Sequence, residues 1–504
     1  MTYAFTFDAS ACSGCKACQA ACKDKNGLPP GVLWRRVYEV NGGDWERQGE
    51  AWTNSVFAYN LSIACNHCVH PKCAGVCPTD AYVVRPDGIV YIDTSKCVGC
   101  GYCGWACPYS APRYNPTAGT MTKCNFCYDD LDAGKPPACV AACPLRVLDC
   151  VTVEEGLRTE DEGPRTEDER SRTETGWKAL WEIPGTEHPF PLPAFSRTQP
   201  HLLLRPHPAM ANALEKRIAN QEEIQPSARV RRAGLNDAVP RPGKNRLIGF
   251  LSTGWRDAQL TLRELPLMLF TLLAQMAAGL TVTSLVFGPS SLILLIIGAL
   301  LGLGLLNSLL HLGTPLNAWR TLNHLGKSWL SREILMAGLF GASWLTLTGV
   351  HWLLITEYWL LLTLHALTAL LGLGLVYAMA QVYRIKAVPA WNTWRTEAAF
   401  LLSAGTLGLA GIAFWTSRAA GWISLSLLLA AEAAALLSDP NPLQPTVRRF
   451  RVGLILLALA GALTMPFVPE QAGAWLKLPI FLLILVEECA GRWRFYQHLE
   501  ERCL

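Results

Sequence analysis

CVGCGYCGWACP, residues 97–108, decides how the first half of this chain is read. Its cysteines, Cys97, Cys100, Cys103 and Cys107, are separated by two, two and three residues, and Pro108 follows the last of them. Two-residue gaps let a backbone curl around a compact inorganic core with its amides turned toward the sulfurs. That is the ligand spacing of a [4Fe–4S] cubane, in which three close thiolates grip one cluster while the fourth reaches across to another.

Three further quartets surround this one. Cys12, Cys15, Cys18 and Cys22 repeat the same spacing; Cys65, Cys68, Cys73 and Cys77 lengthen one gap; Cys124, Cys127, Cys139 and Cys143 loop one out. Sixteen ligands at four per cubane predict four [4Fe–4S] clusters. Zinc sites also use paired C-x2-C, and disulfide frameworks also use even cysteine counts. Neither accounts for the third cysteine at x2 or for the proline that follows. Cys150, Cys489 and Cys503 lie outside the pattern and read as ordinary thiols.

Of the 19 cysteines in 504 residues, 17 precede residue 151, whereas the long apolar runs follow residue 265, so two physically different halves have been joined. A net charge of +4 without a basic, aromatic-interleaved run argues against nucleic acid as a partner. The opening residues lack the basic start and apolar core of a signal peptide. Arg35-Arg36 lies inside LPPGVLWRRVYEV and reads as part of a folded domain, not as a twin-arginine signal. The alternating stretch AYVVRPDGIVYID, residues 81–93, predicts a β-hairpin turning at Pro86-Asp87-Gly88. The expected fold of residues 1–150 is a duplicated α+β ferredoxin-like domain whose cohesion comes largely from its clusters, so that removing the metal unfolds it.

The order of the quartets, with VGCGYCGWACPYSAPRYNP (98–116) and KCNFCYDDLDAGKPPACVAACP (123–144), resembles the iron–sulfur subunit of the dimethyl sulfoxide reductase family of molybdenum enzymes. The resemblance implies that the first quartet pairs with the fourth and the second with the third. Cys12, Cys15 and Cys18 would then share a cluster with Cys143, and Cys124, Cys127 and Cys139 with Cys22. Cys65, Cys68 and Cys73 would take Cys107, and Cys97, Cys100 and Cys103 would take Cys77.

Residues 151–263 turn polar and proline-rich and repeat Arg-Thr-Glu at 158–160, 165–167 and 172–174. Without an apolar seam this heptad forms no coiled coil, and the segment reads as a linker with a solvated, disordered insert. The stretch 191–210 reads as an extended tether lying on something else.

Residues 264–504 predict an all-α polytopic membrane bundle of about eight transmembrane helices, at 266–287, 291–310, 333–355, 358–383, 398–416, 422–438, 452–468 and 475–491. Loops on the cluster-domain side hold Arg320, Lys327, Arg332, Arg384, Lys386, Arg395, Arg448, Arg449 and Arg451, with Arg492, Arg494 and Arg502 in the tail. The opposite loops hold only Arg418 and Lys477. The positive-inside rule then predicts a bacterial inner membrane protein with its clusters on the cytoplasmic side, although some members of the family face the periplasm.

ELPLMLFTLLAQMAAGL (264–280), SLLHLGTPLNAWRTLNHLGKSWLSREI (308–334), VPAWNTW (388–394) and GRWRFY (491–496) resemble that family's membrane anchor. The resemblance implies an anchor without haem that holds a quinol, menaquinol or ubiquinol, near its cluster-facing surface, with His311 and Glu333 at the quinol-site positions. His351 with His365 is the one evident pair that could ligate a haem, and Glu432 reads as bundle polarity; Glu487 and Glu488 also lie in or near helices.

The expected role is an electron-transfer and anchor subunit that passes electrons between the quinone pool and a separate molybdopterin catalytic subunit. Direction stays open between a dimethyl sulfoxide reductase-like complex and a sulfite-oxidising one. The rival expectation is a structural anchor, carrying the cluster wire but no quinone site of its own.

Overall fold

In a computed structural model the chain is described over residues 2–42, 45–49, 51–153, 178–179, 198–208, 229–232, 246–288, 290–353, 358–388, 391–416, 419–437, 445–468 and 470–497. It divides into two compact units, Met1–Arg241 with Cys503–Leu504, and Pro242–Arg502. The Arg-Thr-Glu repeat, Arg418 and Cys503 lie outside the described residues.

In the first unit, β1 (Thr2–Asp8) is followed by α1 (Ala17–Lys25), then by β2 (Arg36–Gly42), β3 (Trp45–Gln48), β4 (Ala51–Asn54) and β5 (Phe57–Ile63). Next come α2 (Lys72–Gly75), β6 (Tyr82–Val84), β7 (Val90–Ile92), α3 (Tyr102–Ala106), β8 (Arg113–Asn115) and β9 (Thr120–Thr122). The unit closes with α4 (Tyr128–Asp132), α5 (Ala138–Ala141), β10 (Leu148–Val153), β11 (Lys178–Ala179), β12 (Leu202–Arg205) and β13 (Arg229–Arg232).

Strands β6 and β7 form the expected hairpin, with Val84 opposite Val90. Its turn is fixed by Gly88 at φ +78°, where a Cβ would lie 2.2 Å from Thr2 Cγ2, and by Asp87 Oδ1, which accepts from the Ile89 amide at 3.2 Å. Hairpin β8/β9 repeats the arrangement.

Four- and five-residue helices do not persist alone in water, so α2 to α5 depend on what their cysteines hold. The apolar core reflects this. Phe5, Phe7, Val40, Leu61, Phe126 and Leu204 are interleaved with Cys18, Cys22, Cys65, Cys124 and Cys139. A second core mixes Ala81, Tyr82, Val90 and Met121 with Cys73, Cys77, Cys97 and Cys103.

The sheet carries this unit past the expected boundary at residue 150. Strand β1 pairs antiparallel with β10 and, on its other side, parallel with β12, with Phe5 opposite Leu202. Leu202 and Leu204 are buried, so part of the expected tether is a strand of the cluster unit. Its alternation of two buried leucines is too short to signal a strand against a proline-rich background.

The second unit holds eight long helices among the described residues: α6 (Arg246–Phe287), α7 (Ser291–His311), α8 (Trp329–Trp352), α9 (Tyr358–Tyr383), α10 (Trp394–Thr416), α11 (Ala419–Leu437), α12 (Pro445–Thr464) and α13 (Glu470–Gln497). Seven of them contain runs long and apolar enough to cross a membrane. The eighth, α13, carries Lys477, Glu487 and Glu488 within its apolar run. Of the spanning run of α6, Leu265–Phe287, 61% is buried, against 17% for α8, so α6 is the centre of the bundle and α8 faces mostly lipid. Exposed Trp352, Trp359, Trp394 and Trp475 lie toward helix ends, where indole rings favour the membrane interface.

Helices α6 and α10 cross with their backbones in contact, since a Cβ on Gly408 would lie 2.3 Å from the Gly279 carbonyl carbon. Such approaches are how apolar helices gain contact in lipid, where no hydrophobic drive separates them from solvent. Gly408→Ala should push the helices apart at a cost of about 1–3 kcal/mol. The expected result is a melting temperature several degrees lower for the detergent-solubilised protein. Gly302→Ala, at a position with nothing within 4 Å, should leave it unchanged.

Candidate iron–sulfur and quinone sites

The loops between cysteines run through left-handed backbone. Gly14, Lys16, Gly99, Gly101, His67, Phe126 and Cys127 all have φ between +43° and +80°. This turns amides onto sulfur: Gly99 N donates to Cys97 Sγ, Phe126 N to Cys124 Sγ and Ala81 N to Cys77 Sγ, each at 3.4 Å. Glycine tolerates such φ values, but Phe126 does not adopt them freely. Its ring is fully buried and stacks on Phe5 with centroids 4.0 Å apart, which supplies the compensating contact.

The loops bring the thiols together in fours. One cavity is lined by Cys12, Cys15, Cys18 and Cys143. A second is lined by Cys77, Cys97, Cys100 and Cys103, and a third by Cys65, Cys68, Cys73 and Cys107. In each, three thiols of one quartet meet a single thiol from another. Cys22 is held within Coulomb range of Cys127 and Cys139, and Cys124 within range of Cys22 and Cys139. Iron-free, these groups favour the protonated thiol, with burial and neighbouring sulfurs pushing Cys22 up to about 11 and burial pushing Cys100 up to about 12.

Buried cations stand among these thiols. Lys123, 3% exposed, donates from Nζ to Cys65 Sγ at 3.4 Å, to Cys124 O at 3.1 Å and to Val90 O. Burial opposes its charge, and only ionised sulfur at Cys65, Cys73 and Cys124, as iron ligation supplies, outweighs it and holds the ammonium above its ordinary value. Arg35, 2% exposed, donates to Ser62 Oγ at 3.2 Å and covers the Phe5 ring at 4.5 Å, while its Nε and Nη2 have no hydrogen-bond partner. It lies within Coulomb range of Cys18, Cys22, Cys124 and Cys139.

Two buried cations facing thiols require a counter-charge, because an uncompensated ion in such a place is strongly destabilising. Thiolate-ligated iron–sulfur clusters are anionic and provide it, so the residues present fit these groups. Arg35 and Arg36 are therefore buried parts of the fold, with Arg36 donating to Tyr109 O at 2.8 Å. Sequence reading placed this pair in a folded domain but did not foresee its electrostatic role. Cys150 sits on β10, and burial pushes its thiol up to about 11, which suits an unreactive thiol.

In the bundle, His311 closes α7 and Glu333 lies in the second turn of α8, so both occupy the same end of consecutive helices. Glu333 is 4% exposed, and His311 is half-buried. The two other intramembrane histidines are engaged separately: His365 Nε2 is 3.0 Å from Thr281 O and from Ser284 Oγ, and His351 Nε2 is 3.2 Å from Ser291 Oγ. Glu432, Glu487 and Glu488, from α11 and α13, converge with oxygens within 4.8 Å of one another.

The comparisons with known proteins divide along the same line. A family model for the 4Fe-4S dicluster domain matches residues 56–153, and one for the DMSO reductase anchor subunit matches residues 259–419. One polypeptide of the anaerobic dimethyl sulfoxide reductase of Escherichia coli (strain K12) is 53% identical over 153 residues, which are 30% of this chain and 75% of that relative. Its counterpart in the anaerobic dimethyl sulfoxide reductase of Haemophilus influenzae is 42% identical over 207 residues, 41% of this chain and 89% of the relative. One polypeptide of the tetrathionate reductase of Salmonella typhimurium is 41% identical over 143 residues, 28% of this chain and 54% of the relative. With 4Fe-4S ligands in one unit and an anchor-type bundle in the other, this protein belongs to the dimethyl sulfoxide reductase family, as an iron–sulfur electron-transfer subunit fused to its membrane anchor.

Proposed function

We propose that this chain oxidises a membrane quinol, menaquinol or ubiquinol, and delivers the electrons one at a time through four [4Fe–4S] clusters to a separate molybdopterin subunit that reduces the terminal substrate. The observation that carries the reading is the grouping of thiols in fours around buried cations, on a chain that continues into an anchor-type bundle. Cys12, Cys15, Cys18 and Cys143 would hold one cluster and Cys22, Cys124, Cys127 and Cys139 a second. Cys65, Cys68, Cys73 and Cys107 would hold a third, and Cys77, Cys97, Cys100 and Cys103 a fourth.

Bound clusters supply one-electron carriers, which a two-electron donor and a two-electron catalytic centre need between them. The chain's own residues fix the thiolates, aim amides at them and set the field with Arg35 and Lys123. The reductive direction follows the relatives, which are parts of reductases of dimethyl sulfoxide and tetrathionate. The positive loops support an inner-membrane protein with its clusters on the cytoplasmic side.

Quinol oxidation releases two protons with two electrons, so the site needs groups at the membrane boundary that accept them. The position of His311 and Glu333 at the same end of consecutive helices supports that role for them. Replacing either, as His311→Ala or Glu333→Gln, should slow quinol-driven reduction of the clusters at least tenfold in anaerobic membranes, while dithionite still reduces them fully. An anchor with no quinone site predicts equal rates in variant and parent.

A further inference from the structure

Glu432, Glu487 and Glu488 are 7%, 2% and 2% exposed, inside a bundle whose outer surface is apolar. Arg451, from α12, donates from Nε to Glu487 Oε1 at 2.6 Å and lies 3.8 Å from Glu432 Oε1. Ser403, from α10, donates to Glu488 Oε2 at 2.7 Å. Arg492, from α13, faces the same group while donating to Gln275 Oε1 of α6 at 2.8 Å and covering the Phe400 ring at 3.9 Å.

Three carboxylates against two guanidiniums leave one negative charge over, in a place where an unbalanced charge is expensive. Glu432 Oε2 and Glu488 Oε1 are buried without a hydrogen-bond partner. The site therefore lacks one positive charge, and two of its carboxylate oxygens lack a donor. A proton on a carboxyl supplies the charge and gives one of those oxygens a hydrogen of its own. A divalent cation would overshoot the charge and be repelled by the two arginines.

The trio also joins a buried chain of polar groups that leads back toward Glu333. Arg492 lies within Coulomb range of Glu488, Tyr496 and Tyr383, the two tyrosine hydroxyls are hydrogen-bonded to each other, and Tyr383 lies within Coulomb range of Glu333.

We propose that Glu432, Glu487 and Glu488, balanced by Arg451 and Arg492, form a proton-loading site through which protons released at the quinone site leave the bundle. The assignment rests on the quinol reading above. A quinol becomes quinone by losing two electrons and two protons; the electrons reduce two cluster equivalents in turn. At rest the trio holds one proton against its single excess charge; that proton is given up to water and one released by the quinol replaces it, once for each of the two.

Two measurements on the whole complex in membranes test this. In infrared spectra, a protonated-carboxyl stretch should be present in the parent and absent in Glu432→Gln or Glu488→Gln; a parent without such a band overturns the proposal whatever the quinol reaction does. In stopped flow, both variants should reduce the clusters from quinol at least tenfold more slowly and with a flattened pH profile, with dithionite reduction intact and Glu488→Asp partly restored. Variants that assemble with full cluster content and keep the parent's rate and pH profile would also overturn it. A parent whose clusters do not respond to quinol at all would instead refute the quinol reading, leaving the infrared result to decide the proton site. Should the glutamine variants fail to assemble, the parent's carboxyl band and its shift in heavy water decide it alone.

Discussion

Stripping iron from this protein under anaerobic conditions will unfold its N-terminal unit while the helical bundle stays folded. With iron removed, burial returns the thiols to their neutral form at ordinary pH, as Cys22 near 11 and Cys100 near 12 indicate. Lys123 and Arg35 then remain buried without a counter-charge. Each such loss costs about 3–5 kcal/mol. Set against the roughly 5–15 kcal/mol that holds a whole domain together, two of them suffice, even before the core left around vacated thiols is considered. The check is circular dichroism with thermal scanning before and after chelation: the transition of the cluster unit should vanish while the helical signal persists. An unchanged transition would contradict the account. Refilling the sites must displace the thiol protons, so reconstitution should become more favourable as pH rises toward these values.

The second large effect concerns Lys123. Its ammonium lies 3.4 Å from Cys65 Sγ, so an electron entering the cluster proposed for Cys65, Cys68, Cys73 and Cys107 is attracted by a buried positive charge. At an effective dielectric constant of about 20 the attraction is worth about 2–3 kcal/mol, or about 100 mV for a one-electron couple. Lys123→Met should therefore lower the midpoint potential of that cluster by about 100 mV in a potentiometric titration followed by electron paramagnetic resonance. Lys123→Arg, which keeps the charge, should stay near the parent value. An unchanged potential in Lys123→Met, with cluster content intact, would remove the electrostatic role assigned to this residue.

These expectations rest on residues that the sequence does not advertise. Cluster ligands are legible because a cubane demands several thiols within a few residues, so the requirement is written locally. The hairpin at β6/β7 and the long apolar helices are legible for the same reason, through period and length. Arg35, Lys123 and the carboxylates of α11 and α13 are not, because a charged side chain reads as surface until its distant counter-charge is known. Glu432 read as simple polarity; only packing α11 against α12 and α13 brings it beside Arg451 and Glu487. Strand β12 was hidden by separation, since its partner β1 lies about two hundred residues earlier and parallel pairing leaves no turn between them to read.

Iron and acid-labile sulfide, measured on anaerobically purified protein together with the electron paramagnetic spin count after full reduction, test the central claim most directly. Four clusters predict about sixteen iron atoms and about sixteen sulfides per chain, with reduced spins that integrate to about four. Zinc in place of iron, or iron without labile sulfide, would contradict the conducting wire on which the proposed function depends.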